Sequence, residues 1–212
     1  MKKIMLTSLY TLLIASSASA MDIRPYASLK LGYASVSATD KAKGSPDVEW
    51  DTISGFTGAI AGGAAFAVHD MVTVRGELEY SYTKVEGLPK SNFLNDATFT
   101  DHTILLNGFA DFGGNNWFGF NPYVGLHLGY AFGTIDFNTG TPANPDFSVN
   151  GFVYGASTGV AYSITNNIAV DFGVRYLISS RSYDEVWFTG DKMEGDFNTN
   201  QLSVLFGARY TF

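Results

Sequence analysis

The sequence predicts an all-β protein, an eight-stranded antiparallel up-and-down transmembrane β-barrel. Three observations predict it. Apolar and polar residues alternate with a period of two along the chain after its first twenty residues. The connections between the alternating segments are short and long in turn. The polar faces consist mainly of Gly, Ala, Ser and Thr, which suit a crowded interior better than a hydrated surface. The composition fits, with 46% hydrophobic, 15% aromatic and 16% charged residues and 23 glycines in 212. No window approaches the roughly 18 to 20 consecutive apolar residues of a spanning helix, which excludes a helical membrane bundle. So many Phe, Tyr, Val, Ile and Leu residues exclude disorder.

At the start, Lys2 and Lys3 lead into an apolar stretch, Ile4 to Ala15, and then into Ala18-Ser19-Ala20. That order of charged, apolar and small residues predicts a secretory signal over 1–20, cleaved after Ala20, with a barrel domain over 21–212. With Lys2 and Lys3 removed, the formal charge of −7 becomes −9, against nucleic acid as a partner. The chain has no cysteine, so neither a disulfide nor a lipid anchor at the processing point is expected.

Eight segments follow. Ala27, Leu29, Leu31 and Tyr33 share one face of the first, and Phe56, Ile60, Phe66 and Val68 one face of the second. In the third, Val72, Val74, Leu78, Tyr80 and Tyr82 alternate with Thr73, Arg75, Glu77, Glu79 and Ser81. Ile104, Leu106 and Ala110 mark the fourth, Val124 to Phe132 the fifth, and Tyr154, Val160, Tyr162 and Ile164 the sixth. Ile168 to Ile178 and Leu202 to Phe212 repeat the alternation, with Leu205 alone interrupting the polar face of the last. The joins near His69-Asp70 and Thr165-Asn166-Asn167 are tight and that at Gly113 to Asn116 somewhat longer, whereas 40–52, 85–97, 136–147 and 183–197 read as long polar loops. Short turns at one end and long loops at the other are the signature of a membrane barrel, where closure satisfies every backbone group. A soluble barrel would reverse the faces, apolar side inward.

On this register Lys30, Arg75, Arg175 and Arg209 point inward with Glu77, Glu79, Asp111 and Asp171. Buried charges need partners, so the matched set predicts a lumen charge network that fills the barrel; a narrow ion path is the alternative. Trp50 and Trp187 are candidate loop aromatics for a partner or for the interface belt. Tyr26, Trp117, Phe120, Tyr123, Tyr162, Tyr210 and Phe212 are expected to form the girdle at the short-turn end. The fourth loop is acidic, with Asp184, Glu185, Asp191, Glu194 and Asp196, yet it lacks the spacing of a calcium loop. No metal-ligand spacing and no cofactor motif are present.

The terminal Gly207-Ala208-Arg209-Tyr210-Thr211-Phe212 resembles the C-terminal assembly signal of Gram-negative outer-membrane barrels. With the signal peptide and eight strands, the chain resembles the small outer-membrane barrel superfamily of the OmpA membrane domain, OmpX and the opacity-type surface proteins, over about residues 23–212. That resemblance implies an outer-membrane location, contact with outer-membrane lipid and recognition by the barrel assembly machinery through Gly207, Tyr210 and Phe212. It implies no peptidoglycan-binding domain. The expected role is that of a monomeric surface and structural protein whose outward loops mediate adhesion or contact with a host or surface partner. A small pore is the first alternative. A lipid A-modifying enzyme is the second, but His102 and His127 lack the His-x-Ser arrangement that lipid A deacylases show, and His69 lies in a turn, so no catalytic site is expected.

Overall fold

The computed structural model describes residues 23–42, 48–49, 51–87, 96–113, 118–138, 146–186 and 192–212. Eight long strands run through them: β1 (Ile23–Ala42), β2 (Ile53–His69), β3 (Val72–Gly87), β4 (Asp96–Phe112), β5 (Phe120–Asn138), β6 (Asp146–Ser163), β7 (Ile168–Val186) and β8 (Lys192–Thr211). Each pairs antiparallel with the next, and β8 pairs with β1 from Tyr26↔Thr211 to Ala42↔Gly195, which closes the barrel. Val48–Glu49 adds a two-residue ladder against Asp40 and Thr39.

At the short-turn end the backbone is held by local hydrogen bonds. The Thr165 hydroxyl accepts from the amides of Asn167 and Ile168, and the Asn167 side chain donates to the Thr211 carbonyl at 2.7 Å, tying this turn to the last strand. A register shift between Ala67 and His69 precedes the Asp70-Met71 turn. Gly119 enters β5 with φ of 87°, a left-handed conformation that glycine adopts without steric penalty.

Over the middle of every strand a row of apolar residues faces outward. Leu126, Leu78 and Phe206 are 72%, 62% and 59% exposed, while Arg75, Glu79 and Arg175 on the opposite parity are buried. The outward rows, such as Val72 to Tyr82 and Leu202 to Phe212, are about eleven residues long, which at ~3.3 Å per residue and ~40° tilt gives a band roughly 28 Å high. That height matches the hydrocarbon layer of an outer membrane.

Above the outer edge of this band the two faces exchange character. Val36, Ile53, Val85, Phe99, Ile135, Val149 and Phe197 point inward and pack as one buried cluster. Exposed Lys84, Glu86, Asp136, Ser182 and Asp196 face outward at the same end. The membrane part is thus apolar outside, and the crown above it is built like a water-soluble barrel. Burying an apolar layer favours the crown because its outer face meets water, not lipid.

Two parts of the sequence reading are corrected. The strands run further outward than expected: within 183–197, Tyr183, Asp184, Glu185 and Val186 pair with Gly195, Glu194, Met193 and Lys192, so this stretch is mostly a paired hairpin. Tyr26 and Tyr123 do not belong to the girdle. Both lie on the inward parity, next to outward Ala27 and Val124, and their rings pack against the interior arginine Arg75. Tyr123 also explains two glycines, since a Cβ on Gly173 would lie 2.3 Å from its hydroxyl and one on Gly159 2.6 Å from its ring. Phe120, Tyr162, Tyr210 and Phe212 do face outward, in ring pairs with centroids 4.8 and 5.3 Å apart. Trp50, Trp117 and Trp187 lie outside the described residues.

Candidate functional site: the lumen and the outer crown

The lumen is layered. In its central layer, fully buried Glu79 accepts from Lys30 at 2.6 Å and from Arg175 Nη1. Glu77 accepts from Lys30 at 2.5 Å and from the Tyr26 hydroxyl at 2.9 Å. Asn107 bridges the two carboxylates through Nδ2, at 3.0 and 3.1 Å. With its amide nitrogen committed, Asn107 presents Oδ1 to His127 Nδ1 at 2.7 Å, so that Nδ1 is the donor and Nε2 of the neutral ring is left with a lone pair.

Toward the short-turn end, Arg75 grips Asp111 with two hydrogen bonds of 2.5 and 2.9 Å. Its guanidinium lies 4.3 Å from the Phe109 ring centroid, so apolar and charged surfaces are filled together. Arg209 stands over Tyr26, with Nη2 at 3.7 Å from Asp171, beyond hydrogen-bond reach. Gly207 faces inward opposite Lys30, leaving that side chain room to cross toward the two glutamates. All eight residues read as inward charges therefore sit on the inner wall.

Toward the crown, Leu105, Ala131, Val153 and Leu177 form a second buried apolar layer. Above it Arg181 binds Asp101 through two bonds of 2.7 and 2.8 Å and donates to Ser179 at 2.8 Å. The sequence reading missed Asp101 and Arg181 because it ended their strands too early; extending the parity of Asp111 and Asn107 reaches Asp101, and that of Arg175 reaches Arg181. It also missed Asn107, whose bridging role depends on β3, β4 and β5 standing side by side. Asp101 with Arg181 brings the buried and part-buried charged residues of the inner wall to five acids and five bases, so this part of the described lumen is electrically compensated.

The other two histidines lie elsewhere. His102 is on the outer face, 2.6 Å from the Tyr80 hydroxyl and ring against Tyr82, and His69 Nδ1 accepts from the Met71 amide in a turn. Among the described residues no group of three His, Asp or Glu is placed to hold a metal ion.

A closed eight-stranded barrel with an apolar outer band, a polar filled lumen and an aqueous crown defines an integral outer-membrane protein. The chain belongs to the outer membrane protein beta-barrel domain family, whose model matches residues 6–212. It is thereby located in the Gram-negative outer membrane. It is 28% identical over 119 residues to the outer membrane protein PagN of Salmonella typhimurium, a match that covers 52% of this chain and about half, 49%, of that protein. Among solved structures it is similar to Neisserial surface protein A, with a TM-score of 0.52, 19% identity, and 89% of this chain and 97% of that chain covered. The outer membrane protein OprG of Pseudomonas aeruginosa gives a TM-score of 0.52 at 18% identity, covering 88% and 95%. At these identities the likeness concerns the fold.

Proposed function

We propose that this protein is a cell-surface interaction protein: the barrel anchors it, and the crown with the connections it carries engages a partner outside the cell, in adhesion or host contact. The observation that carries this reading is the crown's own apolar core. β1 continues past Tyr33 to Ala42 and β8 begins at Lys192, above the apolar band, and the seven-residue cluster, with Val36 and Phe197 from these two strands, packs the crown into a firm platform. A chain needing only a membrane anchor has no use for a packed structure at that height. The charge of the platform suggests the partner's chemistry: among the described side chains, exposed Glu86, Asp136 and Asp196 stand against Lys84, which favours a basic partner surface. In the same reading Trp50 and Trp187 are anchors for that partner. The paired charges of the lumen fill and hold the barrel, and the packed layer of Leu105, Ala131, Val153 and Leu177 counts against a small pore. Residues 1–20 act as the cleaved export signal, and the last strand, with Tyr210 and Phe212 outward, is the element that the assembly machinery recognises.

The test replaces 43–52, 88–95, 139–145 and 187–191 by short turns, which removes the two-residue ladder of Val48–Glu49 and leaves the eight long strands intact. The shortened protein is expected to remain in the outer-membrane fraction and to shift in SDS gels on boiling, while binding of the bacteria to host cells falls to the level of a strain lacking the protein. Undiminished binding would refute the reading.

A further inference from the structure

We propose that the lower half of the lumen is an aqueous half-channel, filled from the periplasmic side and ended by the apolar layer of Leu105 and Leu177. Two cavities define it. A vestibule of about 170 Å³ opens at the short-turn end among Arg24, Thr73, Asn121 and Arg209. A smaller chamber of about 30 Å³ lies deeper, against His127, Ser157, Asp171 and Arg175, and Arg75 forms part of the wall of both.

The chamber's wall identifies its occupant. His127 Nε2, the Ser157 hydroxyl, Asp171 Oδ1, and Nε and Nη2 of Arg175 are all buried and have no hydrogen-bond partner within the protein. On the wall of the vestibule, Arg209 Nη1 is in the same position. The set mixes donors with acceptors. Arg175 and Arg209 only donate, whereas Asp171 and the lone pair of His127 only accept. A small anion would satisfy the arginines and be repelled by Asp171; a cation would do the reverse. Water satisfies both, and a space of about 30 Å³ holds about two molecules when a single water needs some 10–15 Å³ by the same measure. Leaving such groups without partners is costly, so hydration is part of the folded structure.

The outward side is closed twice. Leu105, Ala131, Val153 and Leu177 are nearly or fully buried above the chamber, and the crown cluster encloses only about 10 Å³ of apolar space. The Arg181–Asp101 pair lies between these two layers with its hydrogen bonds made inside the protein. Water, and ions no larger than water, thus reach His127 from the periplasm and not from outside.

The chain has no cysteine, so a single introduced thiol reports access without background. Silver ion, close to water in size, is added to the folded barrel carrying Ser157→Cys in the chamber or Thr83→Cys between the two apolar layers. The thiol at 157 is expected to react at least tenfold faster than that at 83. Narrowing the vestibule with Thr73→Trp should slow it about tenfold, and Phe99→Ala, which trims the crown, should leave it within twofold. Equal reactivity at 157 and 83 would overturn the wet chamber. Acceleration by Phe99→Ala without slowing by Thr73→Trp would overturn filling from the periplasm. Should Thr73→Trp fail to fold, water-edited solid-state NMR of the unaltered barrel in lipid bilayers decides: fast transfer from water to His127 and Ser157 but not to Phe99, Val149 and Leu105 supports the half-channel, and transfer to all or to none of them overturns it.

Discussion

Arg181 and Asp101, 80 residues apart in sequence, meet across the barrel in a two-bonded pair whose side chains are each 3% exposed. The Phe99 ring lies 5.1 Å from the guanidinium, so the pair is enclosed by apolar surface as well as by its own hydrogen bonds. Removing one partner strands the other. Arg181→Ala is expected to destabilise the folded barrel by about 3–5 kcal/mol, and the double variant Arg181→Met, Asp101→Leu to recover most of that loss. Urea unfolding in lipid vesicles measures both. Equal stability of Arg181→Ala and the parent would show that the pair contributes nothing.

Glu79 and Asp171 make a contrasting comparison. Glu79 is the carboxylate shared by Lys30 and Arg175, whereas Asp171 stands 3.7 Å from Arg209 without a hydrogen bond to it. Glu79→Gln is therefore expected to lower stability by about 3 kcal/mol or more, and Asp171→Asn by about 1 kcal/mol or less. The reverse ranking in the same unfolding assay would contradict the bonding described for the central layer.

The outer face allows a depth test. Leu126 lies in the middle of the outward row of β5, and Asn200 faces outward above the band on β8. Leu126→Arg is expected to destabilise by about 2–4 kcal/mol and Asn200→Arg by about 1 kcal/mol or less. Similar losses at the two sites would place the membrane elsewhere.

The crown should loosen without the barrel. Phe99 and Phe197 meet with ring centroids 6.2 Å apart in the crown cluster. Phe197→Ala removes about 3–5 kcal/mol of local packing. We expect faster proteolysis of the outer hairpins on intact cells and an unchanged boiling shift in SDS gels. Unaltered proteolysis would mean that the cluster does not hold the crown.

The strands of the membrane band were legible because one rule, apolar outward, holds from Leu29 to Tyr33 and from Val72 to Tyr82. The crown was not legible, because the rule reverses there. Val85, Phe99, Ile135 and Val149 fall on the parity that carries polar residues lower down, so an alternation read with fixed phase ends at each of them and the remainder looks like loop. The same parity, applied strictly, places Tyr26 and Tyr123 inside; an aromatic near a strand end suggests a girdle only until its outward neighbour is counted. The charged residues of the lumen could be assigned to the inner wall from the sequence. Their partners could not, because Glu79 with Arg175 and Arg181 with Asp101 join strands that are not neighbours, and their side chains meet across the lumen only once the barrel has closed.

The change of phase also gives the molecule a waterline. Sinking by one pleat would carry Lys84, Glu86 and Asp136 toward hydrocarbon, and rising by one would wet rows such as Tyr33, Phe56 and Phe132; each is opposed by roughly 1 kcal/mol or more per residue displaced. The barrel is thus fixed in height as well as in orientation. The crown stands at a constant elevation over the headgroups.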